Sequence, residues 1–245
     1  MLKITDLTKS YVNNPKNALT DVSLSIPRGE IVGLFGENGA GKTTLMKCIL
    51  GFLPYKGKIT LDGEPITKKN IARISFATSE HSFFPNLTPT AHRDFYAEHF
   101  PDFSEKRFNA LMNFFELPKA KALKAFSTGQ KNQFEVILAL SQGADYIIMD
   151  EPFAGNDIFN REDFYKVLLG ILEPHETVIL STHLIEEVSE FIGRAVLLRH
   201  GEIIADVTTV DIDEKGQALV VFITENYRYR SDRVSRALGD LTDLT

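Results

Sequence analysis

The run IVGLFGENGAGKTT, residues 31–44, decides how the rest of the chain is read. Its first five residues, Ile31 to Phe35, are apolar without alternation, the pattern of a parallel strand buried on both faces. Gly36-Glu37-Asn38-Gly39-Ala40-Gly41-Lys42-Thr43 then fits GxxxxGK[ST] between a strand and a helix. The glycines let the backbone curl until successive N–H groups point at one anion. In this pattern Lys42 reaches the outer phosphates of a nucleotide and the Thr43 hydroxyl is a ligand for Mg²⁺. The helix that follows carries Leu45, Ile49 and Leu50 and can stop at Gly51.

Two further apolar runs end in polar groups. YIIM (146–149) leads into Asp150-Glu151, and VIL (178–180) into Ser181-Thr182-His183. In open α/β sheets ligands bind beyond the carboxyl ends of the strands, so three such ends predict one shared site. Asp150 suits a Mg²⁺ ion held through its hydration water. Glu151 is placed to orient and polarise an attacking water. By spacing alone His183 reads equally well as a structural histidine or as a hydrogen-bond partner of a phosphate.

A second anion signal lies in KAFSTGQKNQ, residues 124–133. Ser127 followed by Gln130 has the form of a capping box, and Gly129 keeps the backbone open. A capped helix N-terminus presents free N–H groups and the positive end of a dipole. One chain thus carries two phosphate-binding devices about ninety residues apart.

In this order the motifs resemble those of the ATP-binding subunits of ABC transporters, over roughly residues 1–205, with FSTGQ similar to that family's signature sequence. The resemblance implies an α/β fold: a P-loop NTPase core with a mainly parallel sheet, an N-terminal antiparallel β subdomain and an inserted α-helical subdomain. It implies an ATP-binding domain over 1–210, its helical part at about 85–140, and a short C-terminal tail over 211–245. ATP with Mg²⁺ is the implied ligand pair. Gly36, Asn38, Gly39, Ala40, Gly41, Lys42, Thr43 and Thr44 would hold the phosphates, Tyr11 would stack on adenine, and Thr43 and Asp150 would serve the metal. Catalysis would fall to Glu151, His183 and Lys42. In the family the signature serves ATP held by a second subunit, which answers why two phosphate binders are needed; Ser127, Gly129 and Gln130 would act there. Asp157, in Ala154-Gly155-Asn156-Asp157, would sit in the loop that crosses that interface. The chain departs from the family pattern at Thr128, at Asn156, and more seriously at Ser79, where a glutamine or glutamate is usual; whether Ser79 or the neighbouring Glu80 serves instead is left open by the sequence.

The totals narrow the partners. A net charge of −6 with a pI near 5.6 disfavours nucleic acid, which calls for a basic face. The single cysteine, Cys48, reads as a buried apolar side chain. MLKITDLTKSY turns polar at once, so no signal peptide is expected, and runs such as ALVVFI (218–223) are too short to cross a bilayer. The resemblance implies as partners integral-membrane transporter subunits, through which substrate would be exported, and a second ATP-binding subunit, the same chain or a paralogue, at the cytoplasmic face of a membrane. The alternatives are a non-transport ABC ATPase acting on ribosome or DNA, and an importer rather than an exporter. Within the helical part, Phe95, Phe100, Phe103, Phe108, Phe114 and Phe115 are expected as core. Phe83 and Phe84 read either as core or as anchors for a partner helix.

Overall fold

The computed structural model describes residues 1–12, 16–78, 80–152, 158–183 and 185–227. Two sheets form its frame. The first holds β1 (Leu2–Lys9), β2 (Leu19–Ile26), β4 (Lys56–Leu61) and β5 (Glu64–Pro65), in the order β2-β1-β4-β5 and antiparallel throughout. Leu2, Ile4, Val22, Leu24, Ile59 and Leu61 face inward, as strands wet on one side require. Asp62 and Gly63 join β4 to β5 with φ of 52° and 87°, the left-handed pair that a two-residue hairpin turn demands.

The second sheet has six strands: β3 (Ile31–Phe35), β6 (Ile74–Thr78), β7 (Tyr146–Asp150), β8 (Thr177–Ser181), β9 (Arg194–Arg199) and β10 (Glu202–Thr208). Their order is β10-β9-β3-β8-β7-β6, parallel except for the β9–β10 hairpin. Both faces of this sheet are covered, which explains the unbroken apolar runs. Leu34, Ile148, Val196 and Leu198 meet helix α1 (Lys42–Ile49) and the first sheet; Phe35, Ile147, Met149 and Leu197 face the opposite cluster. Tyr146 stitches the sheets together: its hydroxyl accepts from the Leu2 N–H at 2.9 Å and donates to the Ile26 carbonyl at 3.1 Å. Cys48 is fully buried in α1.

The helical stretch holds α2 (Pro89–His99), α3 (Glu105–Phe114) and α4 (Thr128–Ser141). Thr88 and Ser104 cap α2 and α3 with their hydroxyls. Arg107 on α3 pairs bidentately with the buried Glu176 at 2.7 and 3.0 Å and donates to the Leu140 and Ile171 carbonyls, tying these helices to the residue before β8. α4 is buried on nearly every side from Phe134 to Ser141, not along one stripe, because it lies in the cluster that covers the parallel sheet. Of the phenylalanines expected as core here, only Phe108 is buried; Phe95, Phe100, Phe103 and Phe115 are half-buried and Phe114 is exposed. Two short helices on so small a unit cannot enclose six rings.

α5 (Ile158–Ile171) and α6 (Ile185–Val188) precede two further helices, the second within the segment set apart as a C-terminal tail. α7 (Thr209–Asp213) and α8 (Leu219–Tyr227) follow β10, and Ile212, Leu219 and Ile223 bury themselves in the cluster over Phe35 and Leu197. All of ALVVFI but Ala218 belongs to α8. No helix among the described residues is long and apolar enough to cross a membrane.

Candidate nucleotide site

The loop after β3 folds as its glycines require. A Cβ on Gly36 would sit 2.6 Å from the Leu198 carbonyl oxygen. Gly41, at φ 110°, caps α1 and lies against the Ala18 carbonyl, where a Cβ would come within 2.7 Å. The β9–β10 turn braces the loop from behind: the Gly201 N–H donates to the Ala40 carbonyl at 2.9 Å and the Thr20 N–H to the Gly201 carbonyl at 2.8 Å. Lys42 reaches back across the loop mouth, its ammonium donating to the Gly36 carbonyl at 2.7 Å.

The three strand ends do converge. The Thr43 hydroxyl donates to Asp150 Oδ2 at 2.6 Å, joining α1 to β7, and the Ser181 hydroxyl at the end of β8 donates to Asp150 Oδ1. Ser181 has this bridging position without having been singled out in the sequence; a polar residue two places before His183 was the available signal. Glu151 leaves β7 at φ 48°, a left-handed conformation that a non-glycine residue keeps only when its surroundings hold it. They do: its N–H meets both the carbonyl and the hydroxyl oxygen of Ser181 at 3.1 Å. Its carboxylate Oε2 lies 2.9 Å from Nδ1 of His183. The fold thus sets His183 beside the Glu151 carboxylate.

Lys42, Thr43, Asp150 and Glu151 open on a cleft of about 760 Å³ that also holds Tyr11, Asn38, Gly39 and Thr44; His183 touches Glu151 but does not itself line it. The Tyr11 hydroxyl lies 3.3 Å from the Thr44 hydroxyl, and the Lys9 ammonium sits 5.1 Å from the Tyr11 ring centre, an arrangement that orients the ring. Asn17 and His200 also line the cleft, from loops that no motif marked. The hard oxygen donors of Thr43 and Asp150, already side by side, fit Mg²⁺, which takes one or two protein oxygens and completes its shell with water and phosphate.

The second anion device stands apart. Ser127 caps α4 in a full capping box: its hydroxyl accepts from the Gln130 N–H at 3.2 Å, and the Gln130 side-chain oxygen accepts from the Ser127 N–H at 3.1 Å. None of residues 126–131 lines the cleft of the phosphate loop. Ser79 and Asp157 lie outside the described residues. Glu80 does not turn toward the nucleotide cleft; both its oxygens are 2.8 Å from the Lys47 ammonium, on the outer side of α1. It borders a second groove, of about 440 Å³, floored by Phe52, Phe76, Tyr96 and Phe100. Phe83 packs into the core against Phe134, whereas Phe84 is half exposed over His92. Neither lines the groove; the exposed ring there is Phe52.

The sheet order, the phosphate loop and the two strand-end carboxylates define a P-loop ATPase. A family model described as ABC transporter matches residues 19–154. The chain is 31% identical over 224 residues to the SkfA peptide export ATP-binding protein SkfE of Bacillus subtilis, covering 89% of this chain and 93% of that protein. It is 29% identical over 240 residues to the lipopolysaccharide export system ATP-binding protein LptB of Haemophilus influenzae, covering 93% and 99%. Its fold matches a solved ATP-binding subunit of an ABC transporter with a TM-score of 0.78 at 26% identity, over 89% of this chain and 95% of that one. The chain belongs to the ABC transporter family, as an ATP-binding, ATP-hydrolysing subunit.

Proposed function

We propose that this chain is the motor of an exporter, working as one of two ATP-binding subunits on the cytoplasmic face of separate membrane subunits. The observation that carries the reading is Glu151, which shares the cleft of the phosphate loop and is paired with His183. The N–H groups of residues 38–44 and the Lys42 ammonium bind the β- and γ-phosphates, and Tyr11 supports the base. Thr43 and Asp150 would hold Mg²⁺, which when bound would neutralise phosphate charge. Glu151, fixed in its left-handed turn by Ser181, accepts a proton from the attacking water. The water oxygen bonds to the γ-phosphorus, the bond to the bridging oxygen breaks, and ADP leaves with its electron pair. His183 steadies the carboxylate and reaches the γ-phosphate.

The signature acts in trans. Ser127 and the α4 N-terminus lie outside their own cleft, so an anion there would come from a second subunit docked head to tail. The groove at Phe52 and Phe100 suits a short amphipathic helix of the membrane subunit. Export is favoured by the two relatives named for export systems. Glu151→Gln tests the catalytic assignment. The amide keeps the shape but cannot take the proton, so ATP should bind normally while turnover falls at least ~100-fold. Hydrolysis at the unmodified rate would remove Glu151 from this role.

A further inference from the structure

We infer that Tyr227, at the end of α8, is a positioning residue for the phosphate loop, so that the C-terminal helix sets the affinity for the nucleotide; this rests on the ATP-binding reading above. The single Tyr227 hydroxyl proton is shared between two carbonyls, with the oxygen 3.1 Å from that of Phe35 and 3.2 Å from that of Leu198. Phe35 is the last residue of β3, and Leu198 lies one place beyond its register partner Leu197 on β9. Both residues are buried, so any donor that meets these carbonyls comes from within the protein, and Tyr227 meets them where strand gives way to loop.

The next residue, Gly36, rests on the same Leu198 carbonyl, the one a Cβ would strike at 2.6 Å. The Gly36 carbonyl in turn anchors the Lys42 ammonium at 2.7 Å. A continuous chain of contacts therefore runs from Tyr227 through the Leu198 and Phe35 carbonyls to Gly36 and Lys42. The helix end is itself fixed: the Arg199 guanidinium donates to the Asn226 carbonyl at 3.4 Å, and Ile223 is fully buried one turn earlier. α1 and α8 grip the phosphate-loop strand from opposite faces, α1 over Leu34 and α8 over Phe35. Glu151 and His183 leave the sheet on β7 and β8, outside this chain of contacts.

Tyr227→Phe keeps the ring and deletes only the donor. ATP affinity should fall about fivefold, the equivalent of one neutral hydrogen bond. The rise should appear in KM, with kcat at saturating ATP within about twofold of the unmodified value, because the catalytic carboxylate is untouched. A hydroxyl serving only stability would lower the melting temperature and leave the affinity of the folded protein unchanged, and that result overturns the inference. Should the variant not fold, hydrogen exchange on the natural chain decides. By reciprocity a nucleotide that is gripped through α8 must slow exchange of the 219–227 amides, measured with a non-hydrolysable ATP analogue against those of 89–99. No change at 219–227 while the analogue is bound overturns it. Natural protein that binds no ATP at all removes the site reading as well; binding with an indifferent Tyr227→Phe removes this inference alone.

Discussion

Glu135 on α4 is an acid where the fold provides almost no solvent. It is 1% exposed, and only one of its oxygens is served: Oε1 accepts from the Ser82 N–H at 2.9 Å and the Ser82 hydroxyl at 2.5 Å, while Oε2 is buried without a partner among the described residues. Burial raises its pKa from 4.5 to about 7 against the opposing pull of hydrogen bonds from Ser82 and the Thr78 backbone. Between those two values the folded protein holds a proton that the unfolded chain releases. Stability must therefore fall as pH rises from about 4.5 through about 7, and the loss is complete above that. A displacement of this size corresponds to about 3 kcal/mol. Glu135→Gln retains an oxygen for Ser82 and cannot ionise. Urea unfolding of both proteins at pH 5, 6, 7 and 8 should show the glutamine variant gaining on the natural chain by about 2.5 kcal/mol across the series, most of it below pH 7. Two stability curves running parallel over that range would refute the reasoning, since the carboxyl would then titrate alike folded and unfolded.

Lys42→Ala removes the cation that faces the outer phosphates; ATP affinity measured with Mg²⁺ present should fall at least ~10-fold, and unchanged affinity in a folded variant would end the phosphate-loop assignment. Ser127→Arg places bulk and charge at the α4 N-terminus but outside the cleft of its own subunit. Binding of ATP to the monomer should change by less than about twofold, while ATP-driven dimerisation, followed by size-exclusion chromatography, and hydrolysis should drop together. Loss of ATP binding in a folded Ser127→Arg monomer would place the signature in its own subunit's site.

The features that could be read from the sequence are those whose physics is local. The phosphate loop needs its glycines and lysine within eight consecutive residues, because one turn of backbone must surround one anion. The capping box at Ser127 and Gln130, and the Asp62-Gly63 turn, are likewise short-range and appear as expected. Buried parallel strands are uniformly apolar over their own few residues, so β3, β7 and β8 announce themselves. Tertiary structure alone decided what depends on which distant groups meet. Sequence spacing could not show that β8 brings His183 to Glu151, nor that Glu80, one of the two residues offered for the usual glutamine or glutamate, pairs with Lys47 on α1. It also predicted six phenylalanines as core where only Phe108 is enclosed, since a helical period marks a face but not what covers it. The same limit hid Ser82 beneath Glu135, and it made a tail of the segment whose Tyr227 holds the end of β3 from 192 residues away. No pattern in the chain encodes a hydrogen bond over that separation; its partners become neighbours only when both faces of the parallel sheet are covered.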